Sequence, residues 1–137
     1  MWAEIILMVC EKLDSANVRY HADASSSLYV NGFNFEMDDF DVTVEWGSIE
    51  RVRSIFFQYY PTEVSGNNPS KFIFKINGKC IDVMSYKSKS GIGPASERHR
   101  VKFSGKYIWS KKPSFYLERV SAAHPHRADM LKFFSEN

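Results

Sequence analysis

The pattern of apolar and polar positions changes period several times along the chain, and each change marks an element. Trp2, Ile5, Ile6, Val9 and Leu13 recur at helical spacing with Glu4, Glu11 and Lys12 elsewhere on the wheel, so residues 2–17 are predicted to form an amphipathic helix packed on a core. Arg19–Asp23 is a short strand candidate. It leads into Ala24–Gly32, where a serine run opens a helical turn that Gly32 ends, with Asp23 placed to cap it. From Phe40 to Trp46 the period is two, with Phe40, Val42, Val44 and Trp46 on one face and Asp41, Thr43 and Glu45 on the other. Gly47 and Ser48 start a helix carrying Ile49, Val52, Phe56 and Tyr59, and Pro61 stops it. Lys71–Ile76 and Lys79–Ser85 flank Asn77-Gly78, the dipeptide best suited to the positive φ angles of a two-residue hairpin turn. Beyond it the pattern predicts a basic loop over Tyr86–Arg100, a last strand over Tyr107–Ser110, a helix from Pro113 through Ala123 and another from Pro125 to Phe134. This order predicts an α+β fold with a mixed β-sheet flanked by helices, as one domain over residues 1–137.

Composition narrows the class. With 44% hydrophobic and 15% aromatic residues, and only 7 Gly and 5 Pro in 137 residues, the chain can bury a core, which excludes collagen-like and disordered readings. The apolar run Ile5–Cys10 is too short to span a bilayer, and Glu4 sits where a signal peptide carries basic residues. Cys10 and Cys80 offer neither a disulfide framework nor a metal-finger spacing. A cytoplasmic protein without membrane association is the expectation. Charge is unevenly spread: residues 1–46 sum to −7, residues 47–86 to +2 and residues 87–137 to +7, giving the net +2. Such a polarity suits carboxylates that hold a divalent cation and bases that receive the phosphates it neutralises, or two halves that attract each other in the fold.

The candidate chemistry lies on the strands. Asp39 and Asp41, two apart, point the same way and put two carboxylates within reach of one cation. Asp82 is flanked by Ile81 and Val83, where a carboxylate needs a partner or a metal. The bland alternative is a solvated strand face. Ser25, Ser26 and Ser27 are read as capping residues and not nucleophiles, because no histidine has the context of a triad partner. His21, His99, His124 and His126 read as surface histidines, and Gly91-Ile-Gly93 is too short for a phosphate fingerprint. Tyr59-Tyr60, Tyr86, Tyr107 and Trp109 interleave with bases as in nucleic-acid grooves, although core packing is the commoner use of such spacing.

In order, these features resemble the nucleotidyltransferase fold, the polymerase-β-like palm, and within it the minimal nucleotidyltransferases of the abortive-infection, toxin–antitoxin type. The resemblance rests on YHADASSSLYVNGFNFEMDDFDVTV: a strand, a Gly-Ser-like helix start, a Gly after the helix and an Asp-x-Asp strand. Ala24-Ser25 stand where that family has Gly-Ser, Gly32 fits the glycine after the helix, Asp39 and Asp41 fit the acid pair and Asp82 the third acid. Arg119 falls where the family has a helix Lys, Arg127 with Asp129 resemble its basic–acidic element, and Phe35 and Met37 replace its Arg and Thr. The resemblance implies that Asp39, Asp41 and Asp82 bind Mg²⁺ or Mn²⁺ and act in catalysis. It implies that Ala24, Ser25, Ser26 and Arg119 contact a nucleoside triphosphate, and that an acceptor, RNA or protein among the candidates, receives the NMP. A domain this short leaves room for a partner chain or a second copy. Two other functions fit the same residues: a non-catalytic interaction protein of a defence or toxin–antitoxin system, and a small nucleic-acid-binding module built on the basic last third.

Overall fold

The computed structural model describes residues 1–87 and 98–136. Helix α1 (Trp2–Ser15) buries Trp2, Ile5, Ile6, Val9, Cys10 and Leu13, the stripe that its spacing predicts. Strand β1 (Tyr20–Ala22) and helix α2 (Ala24–Val30) follow, then β2 (Asp39–Val44), α3 (Ile49–Ile55) and a 3₁₀ turn over Phe57–Tyr59. Strands β3 (Ser70–Ile76) and β4 (Lys79–Ser85) pair antiparallel across Asn77 and Gly78, both at positive φ. Asparagine and glycine tolerate that left-handed backbone, which is why this dipeptide fixes the hairpin.

The six strands form one mixed sheet in the order β3-β4-β2-β1-β6-β5, where β5 is Arg98–Phe103 and β6 is Lys106–Lys111. Strand β2 runs parallel to β4 and antiparallel to β1, and β1 runs parallel to β6. The alternation on β2 sends Phe40, Val42 and Val44 into the core and leaves Asp39 and Asp41 half-buried on the other face. Phe56, Phe72, Phe74, Ile81 and Val83 extend that core, with Phe56 stacked on Phe74 at 4.6 Å between ring centroids.

The last third departs most from the sequence pattern. Arg98–Phe103, predicted as the end of a loop and a connector, is a strand; the Gly91 and Gly93 pair and most of the basic loop lie outside the described residues. Its alternation of bases with Val101 and Phe103 is masked by charge, and pairing with β6 across Ser104-Gly105 supplies what propensity does not. Helix α4 stops at Leu117 instead of Ala123, and α5 spans Arg127–Glu136. Trp46 lies past the end of β2 and is 41% exposed, so it leaves the core face that its spacing assigned. Among the described residues no helix is long and apolar enough to cross a membrane.

Candidate functional site

Parallel pairing of β2 with β4 sets Asp41 opposite Asp82, and Asp39 is two residues before Asp41 on the same strand. One carboxylate oxygen from each lies within 4.8 Å of the others. Lys71 on β3 answers this charge only in part: its Nζ is 3.8 Å from Asp82 Oδ2, and its side chain is 45% exposed. Asp82 Oδ1 is buried and has no hydrogen-bond partner among the described residues. Burial and the neighbouring Asp82, Asp39 and Asp23 carboxylates push Asp41 up to about 7, against a smaller opposing pull from Lys71. Asp82 is raised by burial and Asp39, again opposed by Lys71. Three converging carboxylates, one with an orphaned oxygen, form a hard oxygen donor set that fits a divalent cation such as Mg²⁺ or Mn²⁺.

The serine turn locks this strand to α2. Ser26, fully buried, accepts the Asp41 N–H at 2.8 Å and donates to the Asp39 carbonyl at 3.4 Å, so its hydroxyl braces the acid-bearing segment. Ser27 donates to the Ala24 carbonyl at 2.6 Å, and Ser25 lines the adjoining cleft. Ala24 has φ +48, the left-handed conformation that favours glycine. The chain therefore keeps the glycine geometry with a methyl group attached. Its N–H donates to Asp23 Oδ1 at 2.8 Å, Thr43 Oγ1 donates to Asp23 Oδ2 at 2.7 Å, and Lys111 Nζ is 3.6 Å from Oδ1. Burial would raise Asp23, but Lys111, His21 and these hydrogen bonds hold it below the usual carboxylate range.

Lys111 and His21 are the functional-region residues that the sequence reading missed. Lys111 has a 3% exposed side chain in a segment that reads as a solvated basic run, and its ammonium lies 3.8 Å from the Phe115 ring centroid. His21 is fully buried, not a surface histidine, and burial pulls it down to about 4. The one available signal was Asp23, an acid between a strand and a helix start that requires a buried partner.

Arg119 was expected to face the acids, and the structure places it elsewhere. Its side chain is 56% exposed, stacks 3.7 Å over Phe115 and pairs with Glu118 at 3.4 Å. Because α4 ends at Leu117, the residue lies beyond the helix that was to aim it inward. A cleft of about 370 Å³ opens onto Asp39 and Asp41, walled by Phe35, Tyr116, His124, His126 and Met130. Neither Arg119 nor any other arginine or lysine among the described residues lines it.

This arrangement of helices and strands recurs in solved structures. A Thermotoga maritima protein assigned as a nucleotidyltransferase superposes with a TM-score of 0.70 at 15% identity, over 99% of this chain and 94% of its own. This is the nucleotidyltransferase fold. ANT(2″)-Ia in complex with adenylyl-2″-tobramycin gives 0.71 at 11% identity, over 99% of this chain and 90% of that one. The lincosamide antibiotic adenylyltransferase LnuA, bound to lincomycin, gives 0.70 at 10% identity, over 93% and 92%. No family model and no curated sequence matches the chain. As a nucleotidyltransferase fold, the sheet carries its paired acids on β2 and the third on the parallel neighbour β4, while the turn before α2 has alanine at its left-handed position.

Proposed function

We propose that the protein is a nucleotidyltransferase that moves an NMP from a nucleoside triphosphate to an acceptor hydroxyl, whose oxygen bonds to the α-phosphorus as the bond to the β-phosphate oxygen breaks and pyrophosphate leaves. The observation that carries this reading is the convergence of Asp39, Asp41 and Asp82 within 4.8 Å, beside a cleft, on a nucleotidyltransferase fold. These three side chains would hold Mg²⁺ or Mn²⁺, which when bound neutralises charge on the entering and leaving oxygens at the α-phosphorus. Asp82 takes the acceptor proton; its buried Oδ1 has no donor among the described residues. Asp39 and Asp41 keep their position because Ser26 fixes the backbone between them. Ser25 on the cleft wall contacts the nucleotide, and the left-handed turn at Ala24 directs the chain around its phosphates. The acceptor, RNA or protein among the candidates, occupies the remaining cleft, in the cytoplasm, with a second copy or partner chain completing its binding surface.

A second reading has one observation in its favour: among the described residues the cleft wall carries no lysine or arginine for a triphosphate. On that reading the protein keeps the fold as an interaction module. Incubation with each [α-³²P]NTP, Mn²⁺ and either total RNA or the protein itself tests the proposal. Label transferred by the natural sequence and lost in Asp41→Asn supports it. Absence of both label and any nucleotide-dependent rise in melting temperature overturns it in favour of the interaction module.

A further inference from the structure

The β5–β6 hairpin gathers cations and aromatic rings at one end of the sheet, away from the acids. Among the described residues strand β5 is terminal in the sheet and pairs only with β6. Its alternate residues Arg98, Arg100 and Lys102 share one face. Between them, Val101 and Phe103 pack against the core, with the Phe103 ring 6.2 Å from that of Tyr29. The register sets Arg100 opposite Trp109 and Lys102 opposite Tyr107. The Arg98 guanidinium stands 3.8 Å from the Trp109 ring centroid, and that of Arg100 lies 5.3 Å from Trp109 and 5.9 Å from Tyr107.

These charges are not neutralised locally. Among the described residues Arg98, Arg100 and Lys102 form no ion pair, while Lys106 at the hairpin turn pairs with Glu11. Asp14 and Glu45 act on Arg98 from a distance, and Arg19 opposes them with a further positive charge. Arg100 and Lys102 are exposed, and Tyr107 is 56% exposed.

A charged edge strand alone serves to block strand pairing between molecules. The rings change that assessment. Same-face residues on a strand repeat at about 6.6 Å, so these cations are spaced along a line and suit the successive phosphates of an extended polymer, not the convergent contacts of a small anion. Arg98 over the Trp109 indole donates one N–H to the Tyr20 carbonyl at 3.1 Å and keeps its others for phosphate. The exposed Arg100 forms no ion pair among the described residues, and the exposed Tyr107 ring beside it offers a stacking surface to a base. Bases in a duplex are already stacked and cannot use it. We propose that Arg98, Arg100, Lys102, Tyr107 and Trp109 form a binding strip for single-stranded nucleic acid, with the backbone on the cations and a base on Tyr107. Strand β1 lies between β2 and the β6 side of the strip, a span of about 10 Å, and β5 stands one strand further out, so the strip is a separate site from the acid cluster.

Fluorescence anisotropy with labelled oligo(U) and oligo(dT), run on the full chain over a salt series, tests the proposal. Affinity for at least one should fall with a log–log salt slope of about −2, as expected for three phosphate contacts on a single strand. Arg100→Ala with Lys102→Ala should flatten that slope by more than half, and circular dichroism should show the fold retained. Tyr107→Ala should weaken binding about fivefold or more, while Tyr107→Phe, which keeps the ring, should not. Asp41→Asn should bind as the natural sequence does. No binding at low salt, equal affinity for a duplex, insensitivity to Tyr107→Ala, or loss of binding in Asp41→Asn would each overturn the proposal.

Discussion

Asp41 on β2 and Asp82 on β4 occupy the same register position of a parallel strand pair, so two carboxylates far apart in sequence face one point. Without a cation this pairing is repulsive, and burial intensifies it. Asp41→Asn should therefore stabilise the metal-free protein at pH 8 by on the order of 1 kcal/mol, and should abolish Mn²⁺ binding. Urea denaturation with and without Mn²⁺ measures both effects, and a loss of stability in the metal-free variant would contradict the repulsion.

The pH dependence follows from the same residue. Asp41 titrates at about 7 in the folded protein against 3.8 for an ordinary aspartate, so between these values the folded state holds a proton that the unfolded state has lost. Its contribution to stability therefore falls as pH rises from about 4 to about 7 and stays low above that. Asp23, held below its ordinary value, acts oppositely: its stabilisation is present above about pH 4 and is lost on acidification through its folded pKa. Mn²⁺ affinity should climb with pH up to about 7 and then level off. Denaturation midpoints and metal titrations across pH 4–8 test this, and Asp41→Asn should remove the decline in stability.

Ser26 clasps the backbone on either side of Phe40 through one hydroxyl. Ser26→Ala leaves the Asp41 N–H without that acceptor, at a cost of about 1–3 kcal/mol. Metal affinity should fall as well, because the acid-bearing strand loses its brace. Thermal melts and Mn²⁺ titration measure the two losses, and an unchanged melting temperature would show that the clasp contributes nothing.

The buried pair Lys111–Asp23 secures the left-handed turn at Ala24. Lys111→Met should destabilise by about 3 kcal/mol, since it leaves a buried carboxylate without its cation. Ala24→Gly should raise stability by about 1 kcal/mol, because glycine adopts that φ without steric cost. If the pair mainly stabilises the turn, the gain from Ala24→Gly should be larger in the Lys111→Met background than alone. A double-mutant cycle by urea denaturation reads this coupling.

The sequence alone determined what is local and periodic. Helix α1, the faces of β2 and the Asn77-Gly78 hairpin follow from spacing and turn chemistry, because neighbouring residues enforce them. The order of Asp39, Asp41 and Asp82 behind a serine turn was enough to suggest the fold and the acids. Tertiary structure decided that these acids converge, because only the parallel pairing of β2 with β4 sets Asp41 against Asp82. It also decided which bases take part. Lys111 and Arg119 are both cations close to Phe115, yet one is buried against Asp23 and the other is exposed on the outside of α4's end. Charge along a sequence carries no burial, and burial sets how strongly a charge acts. Strand β5 escaped detection for a related reason: its exposed face is wholly basic, and its strand character comes from pairing with β6, a contact that no short window of sequence contains.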